Sequence, residues 1–172
     1  INNRFQEEVF KVPEPYIPPR SSGGRIMSLT DPEEKMSKSA SNPKSFIALL
    51  DPPEVIKKKI MSAVTDSDSV IRYDEENKPA VSNLMVIYSL CSGESIEEIT
   101  QNYASYGYGK FKKDLAELVV ETLRPIQNKV NELSAPGAIE SILMAGAAKA
   151  QEAAQPKLRL FQNKLGLFAI QS

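Results

Sequence analysis

A mainly α-helical fold is predicted for this chain of 172 residues, with one short strand and a polar loop ahead of the helices. Three observations predict it. Apolar residues recur at helical spacing through most of the chain after residue 50. Two helix-start signals, Asp51-Pro52-Pro53-Glu54 and Ser95-Ile96-Glu97-Glu98, stand in front of such patterns. Before residue 50 only residues 25–29 read as a strand, and one strand cannot make a sheet.

The elements follow in chain order. Phe5 and Val9 sit four apart and suggest a helix end over residues 1–10. "KVPEPYIPPRSSGG" carries four prolines and two glycines, so it is an extended connection. "RIMSL", between Gly-Gly and Asp-Pro, is the predicted strand, with Ile26 facing inward. Residues 30–45 have no apolar period and form a loop. The helix that follows takes Asp51 as N-cap, Pro52 at its first position, and Ile56, Ile60 and Ala63 or Val64 as its apolar stripe. "VIRY" within 65–79 is strand-like. "VSNLMVIYSL" is apolar on most sides and predicts a buried helix. The Ser95 capping box opens a helix to about Tyr103, and "ASYGYG" turns the chain. Two long helices end it. The spacing of Phe111, Leu115, Leu118 or Val119, Leu123, Ile126, Val130 and Leu133 predicts a helix over 110–133. Ile139, Leu143, Ala147, Ala150, Leu158, Phe161 and Leu165 predict another over 136–168. Pro125 and Pro156 lie inside these patterns and predict kinks or breaks.

Composition narrows the function classes. Net charge is −1, so nucleic-acid binding requires a local basic patch. Histidine is absent, which removes histidine bases, triads and histidine metal ligands. The one cysteine, Cys91, reads as a small buried residue and fits a reducing compartment. No metal site is expected. No apolar run reaches the ~18 residues of a membrane span. The chain opens "INNRFQEEVF", with neither Met nor a signal segment, and reads as starting inside a longer protein.

The chemistry sits in "EEKMSKSASNPKS", residues 33–45. Lys35 and Lys38, three apart and flanked by Ser37 and Ser39, offer two movable cations with hydroxyl and amide donors. That set suits a polyphosphate. One lysine–phosphate contact at ~4 Å and an effective dielectric of ~20 is worth about 4 kcal/mol before desolvation. Contacts that strengthen as pyrophosphate leaves would stabilise the transition state. The small polar residues around them suit a mobile lid, though by composition alone the segment also reads as a solvated linker.

The pentapeptide Lys35-Met36-Ser37-Lys38-Ser39 matches the second signature of class I aminoacyl-tRNA synthetases. Around it, "KVPEPYIP", "RIMSLTDP", "AVTDSDSVIRYD", "NKPAVSNL", "SGESIEE", "YGYGKFKKDLAE" and "ETLRPIQ" follow one another as in bacterial-type tryptophanyl-tRNA synthetases. The resemblance covers nearly the whole chain and is less specific after about residue 134. It implies that residues 1–48 are the C-terminal part of a class I Rossmann-type catalytic domain, with the strand and signature loop. Residues 49–172 would then be an α-helical bundle that binds the tRNA anticodon. It further implies that Lys35 and Lys38 act on the ATP phosphates. Met36, Ser37 and Ser39 would belong to the same ATP site, and the backbone of Ile26 would meet the adenine. ATP and Mg2+ are the implied cofactors, and tryptophan and tRNA(Trp) the partners. A cytoplasmic homodimer is the implied setting.

Two departures from the family pattern stand out. Ala40-Ser41 follow the signature where Asp and then Pro or a second Asp are usual, and Ala80 stands where Gly is usual. The first signature of the class, of HIGH or TIGN type, is not in the sequence. The chain alone is therefore expected to be inactive, and its signature loop poorly ordered.

The basic clusters Lys57-Lys58-Lys59 and Lys110, Lys112 and Lys113 are candidates for tRNA phosphates, or else solvated helix faces. Tyr103, Tyr106 and Tyr108 would stack on bases or pack the turn. No motif fixes an anticodon-reading residue. Two other classes compete. Ser41-Asn42-Pro43-Lys44 matches S-x-x-K of penicillin-binding enzymes, without its companion motifs. The isolated chain could also be a non-catalytic helical RNA-binding or interaction module.

Overall fold

The computed structural model describes residues 2–6 and 8–167. Helices dominate it: α1 (Asn2–Phe5), α2 (Pro53–Met61), α3 (Pro79–Ser92), α4 (Ile96–Asn102), α5 (Tyr108–Leu133) and α6 (Ala138–Leu165), with a 3₁₀ turn at Arg20–Ser22. The chain divides into two compact units, residues 17–129 and residues 1–16 with 130–172.

In the first unit α5 is the organiser. Its Phe111, Leu115, Ala116, Val119, Val120 and Leu123 are buried against Ile56 and Ile60 of α2, Val81, Leu84 and Met85 of α3, and Ile99 of α4. The first half of the predicted α5 stripe is thus core. Ile126 and Val130, further along the same stripe, are exposed. The tyrosines divide too. Tyr103 and Tyr108 are buried, and Tyr103 meets Phe111 edge-on at 5.1 Å, while Tyr106 stays half exposed. Cys91 is half-buried, not enclosed as expected. The glycines ahead of the 25–29 segment are dictated by contact: a Cβ on Gly24 would lie 1.9 Å from the Pro18 carbonyl oxygen.

Several local expectations shift. Helix α1 is only four residues long. Helix α2 begins one residue later than predicted, with Pro52 at the N-cap and Pro53 inside. Asp51 is drawn away, because its carboxylate accepts from the Ala48 N–H (2.9 Å) and the Lys59 ammonium (2.6 Å). The Ser95 box forms as read: Ser95 Oγ accepts from Glu98 N–H at 3.2 Å, and Glu98 Oε2 accepts from Ser95 N–H at 2.8 Å. Ala80 lies in the first turn of α3, where an alanine favours the helix more than a glycine. Both Pro125 and Pro156 are accommodated inside continuous helices. Each costs one hydrogen bond, but proline's φ is already helical, so neither ends its helix.

"VIRY" is not a strand. Asp66, Asp68 and the Val70 carbonyl wrap around one buried ammonium, Lys78 Nζ, instead of pairing with a neighbouring chain. Lys78 donates to Asp66 at 3.0 Å, to Val70 O at 3.1 Å, to Tyr108 Oη at 2.9 Å, and also to Asp68. Ser69 enters the left-handed region at φ 61°, which breaks the extended run. Burial opposes the charge on Lys78, but its bonds to Asp68, Tyr108 and Asp66 outweigh that and raise its pKa. Lys112 holds the start of the same segment through Ala63 O at 2.6 Å, and burial lowers its pKa.

In the second unit, Asn2 Oδ1 accepts from the Val9 and Phe10 N–H groups at 3.1 and 2.9 Å. Phe10 tilts against Phe161 at 5.4 Å, and Lys157 donates to Val9 O at 3.1 Å. Helix α6 buries none of its residues. It ends at Leu165, where Gly166 caps it in the left-handed region at φ 70°, short of the predicted end at residue 168, which itself lies outside the described residues.

Candidate signature-loop site

Residues 25–29 do not form a strand of a sheet. They make one isolated antiparallel bridge, Met27 with Lys35, so the segment pairs with the loop that follows it. The backbone explains the arrangement. In an extended chain, alternate residues turn their N–H and C=O to opposite edges. Ile26 and Ser28 face the loop: Met36 N–H donates to Ile26 O at 3.0 Å, and Ser28 N–H donates to Glu34 O at 2.8 Å. Met27 faces the other way and meets a side chain. Asn83 of α3 accepts from Met27 N–H at 2.8 Å and donates to Met27 O at 2.9 Å. A carboxamide carries one donor and one acceptor side by side, so it stands in for the missing neighbouring strand.

The loop itself is well tied, contrary to the expectation of poor order. Ser28 Oγ accepts from the Thr30 and Asp31 N–H groups, each at 3.2 Å. Ala40 N–H closes a turn onto Ser37 O at 3.2 Å, with the Ser37 and Ser39 hydroxyls 2.9 Å apart. Beyond the signature, Asn42 takes the Lys44 N–H at 3.0 Å, and Ser45 O receives the Leu29 N–H at 2.9 Å. The turn at Ala40 therefore closes through backbone and serine groups, without the acidic residue that is usual after the signature.

The predicted site residues come together as follows. Lys35 lies at the bridge and Lys38 in the adjoining turn, and both side chains are exposed. Neither forms an ion pair with a described residue. Ile26 and Met36 sit side by side on the wall of an apolar groove of about 190 Å³, shared with Ile47, Ile87, Leu90 and Cys91. Burial raises the Cys91 thiol pKa, opposed by Thr122. Ser37 is half-buried and Ser39 exposed. Ser41, the nucleophile of the S-x-x-K reading, is exposed in a loop and has no side-chain hydrogen bond to a described residue, so none of these residues is placed as its base.

The basic clusters are not free patches. Lys57 pairs with Glu117 at 2.9 Å, Lys59 with Asp51 at 2.6 Å, and Lys110 with Asp114 at 2.7 Å. Lys112 is buried on Ala63 O. Lys58 and Lys113 are the members left with neither an ion pair nor a side-chain hydrogen bond among the described residues. Among those residues, no group of three or more Asp, Glu or Cys is placed to hold a metal ion. Among the described residues, no helix is long and apolar enough to cross a membrane.

Comparison with known proteins gives this geometry its setting. A family model described as "tRNA synthetases class I (W and Y)" matches residues 1–124. A tryptophan--tRNA ligase of Bacillus anthracis is 53% identical over 167 residues, 97% of this chain and 50% of that protein. A crystal structure of tryptophanyl-tRNA synthetase from Mycoplasma pneumoniae superposes with a TM-score of 0.77 at 34% identity, over 86% of this chain and 47% of that one. The enzyme from Campylobacter jejuni complexed with ADP and tryptophan gives 0.60 at 33% identity, over 83% and 44%. The chain spans about half the length of the curated relatives it matches. It belongs to the class I tRNA synthetase (W and Y) family, and its relatives there are tryptophan--tRNA ligases.

Proposed function

We propose that this chain supplies the ATP-phosphate loop and the tRNA-binding helices of a tryptophan–tRNA ligase. Residues 1–48 would close the Rossmann-type catalytic domain, and residues 49–172 would form the helical anticodon-binding domain. The reaction is tryptophan plus ATP to tryptophanyl-adenylate and pyrophosphate, then transfer to tRNA(Trp). The intact enzyme would be a cytoplasmic homodimer.

One observation carries this reading. The Met27–Lys35 bridge fixes the backbone of the signature, while its two lysines stay exposed and form no ion pair with a described residue. Fixed backbone with exposed cations is what a phosphate clamp requires: among the described residues the lysines have no ion-pair partner to give up when they meet a polyphosphate. In this role Lys35 and Lys38 hold the β- and γ-phosphates and stabilise the charge that grows on pyrophosphate as it leaves. Met36, Ser37 and Ser39 shape the same site. The carbonyl of Ile26 is already bonded to Met36, which leaves its N–H for the adenine. Mg2+, carried in by ATP, would neutralise phosphate charge. Alone, the chain lacks the first class I signature in its sequence, and we propose that it is then a non-catalytic helical module. Its tRNA-contacting residues are unassigned, because most lysines of the two basic clusters already have partners.

The test is ATP–pyrophosphate exchange in a full-length ligase carrying this chain. Replacing both lysines (Lys35→Ala with Lys38→Ala) should abolish tryptophan-dependent exchange with folding intact. Undiminished exchange would refute the role.

A further inference from the structure

We propose that Asn83 of α3 is a positioning residue for the signature loop, holding Lys35 in register for the ATP phosphates through the backbone of Met27. The inference rests on the phosphate role of Lys35 and Lys38 given above.

The observations form a short chain of contacts within one compact unit. Asn83 is buried and uses both halves of its carboxamide on one residue, Met27 N–H at 2.8 Å and Met27 O at 2.9 Å. Met27 is in turn the bridge partner of Lys35. On either side, Ile26 O and Ser28 N–H hold Met36 and Glu34. The segment 26–28 is thus gripped on one edge by the loop and on the other by a single side chain. An extended segment with one open edge can slide or twist; one pinned on both edges cannot do so without leaving buried polar groups unpaired. A shift of Met27 therefore moves Lys35, opposite it, and Ile26, next to it. Asn83 belongs to α3, whose Val81, Leu84 and Met85 are core. The contact consequently ties the loop to the helical core.

The substitutions have distinct chemistry. Asn83→Ala leaves both Met27 groups unpaired. Asn83→Asp keeps the acceptor for Met27 N–H, loses the donor to Met27 O and buries a charge. Asn83→Gln keeps both groups on an arm one methylene longer.

Two measurements test the proposal. In this chain, amide hydrogen exchange of Asn83→Ala should speed up at Met27, Ser28 and Met36, with Phe111 and Leu115 unchanged. A change confined to Met27, or an equal change in the α5 amides, would overturn a positioning role. In a full-length ligase carrying this chain, Asn83→Ala should lower kcat/KM for ATP about 10²-fold, the scale of an ångström-size misplacement. The KM for tryptophan should not change, and Asn83→Gln should restore part of the loss. An unchanged kcat/KM for ATP would overturn the proposal. If Asn83→Ala does not fold, Asn83→Gln carries the test, since wild-type exchange at Ser28 and Met36 together with wild-type kcat/KM would count against it. Lys35→Ala run alongside separates the two claims. Loss with Lys35→Ala alone sinks the role of Asn83; loss with neither sinks the phosphate reading beneath it.

Discussion

At the scale of single residues, two classes among the lysines contrast. Lys59, Lys78 and Lys112 are buried and bound to oxygen acceptors, and they hold loops in place. Lys35 and Lys38 are exposed and form no ion pair with a described residue. Only the second class is ready for a ligand's charge. The first class has its own signature in pH. The Lys78 hydrogen bond is the main cause holding the Asp68 carboxyl well below its ordinary value of 3.8, helped by the Val70 N–H. The unfolded chain then takes up this proton at a higher pH than the folded one. The contribution to stability is complete above pH 3.8 and is lost as pH falls further, through the folded pKa. Urea midpoints measured from pH ~4 down to pH ~2 should therefore fall less steeply in Asp68→Asn than in wild type. Lys35 and Lys38 stand out in the sequence as phosphate candidates because a motif is local. Asn83 and Lys78 were not. Asn83 meets its partner 56 positions away and Lys78 meets Tyr108 30 positions away, and neither distance leaves a trace in spacing.

At the scale of elements, periodicity located α5, because packing repeats at the turn of the helix that presents it, and also α6, whose stripe is not buried, while α3 was read from a run apolar on most sides. Its limits were at the edges. The strand reading of residues 25–29 failed in kind, since an extended segment needs an edge partner and here the partner is a side chain. The Ser95 box was correctly read because it is built within four residues. Ser95→Ala should cost about 1 kcal/mol in chemical denaturation, the usual worth of an N-cap. Pro125 lies on the exposed side of α5 without ending it. Pro125→Ala should stabilise the chain by about 2 kcal/mol, the restored helix bond less the lost stiffness of the unfolded chain. No gain in melting temperature would mean that the helix bends usefully at that point. The ion pairs of the basic clusters were not legible for a related reason: the carboxylates that pair with Lys57 and Lys59 lie outside helix α2.

At the scale of the whole molecule, the unit of residues 17–129 has a core centred on Phe111, which is fully buried. Phe111→Ala should destabilise it by about 3–5 kcal/mol, the cost of an aromatic cavity, read as a fall in the denaturation midpoint. That core has a functional consequence if the loop hangs from it, for then the helical part would set the geometry of the ATP phosphates. The most direct measurement is ATP–pyrophosphate exchange against ATP concentration in a full-length ligase carrying Lys38→Ala. A clamp that follows the leaving pyrophosphate predicts a fall in kcat of about 10²-fold or more, with the KM for tryptophan unchanged. A raised KM for ATP with unchanged kcat would contradict it, placing the lysine in ground-state binding only.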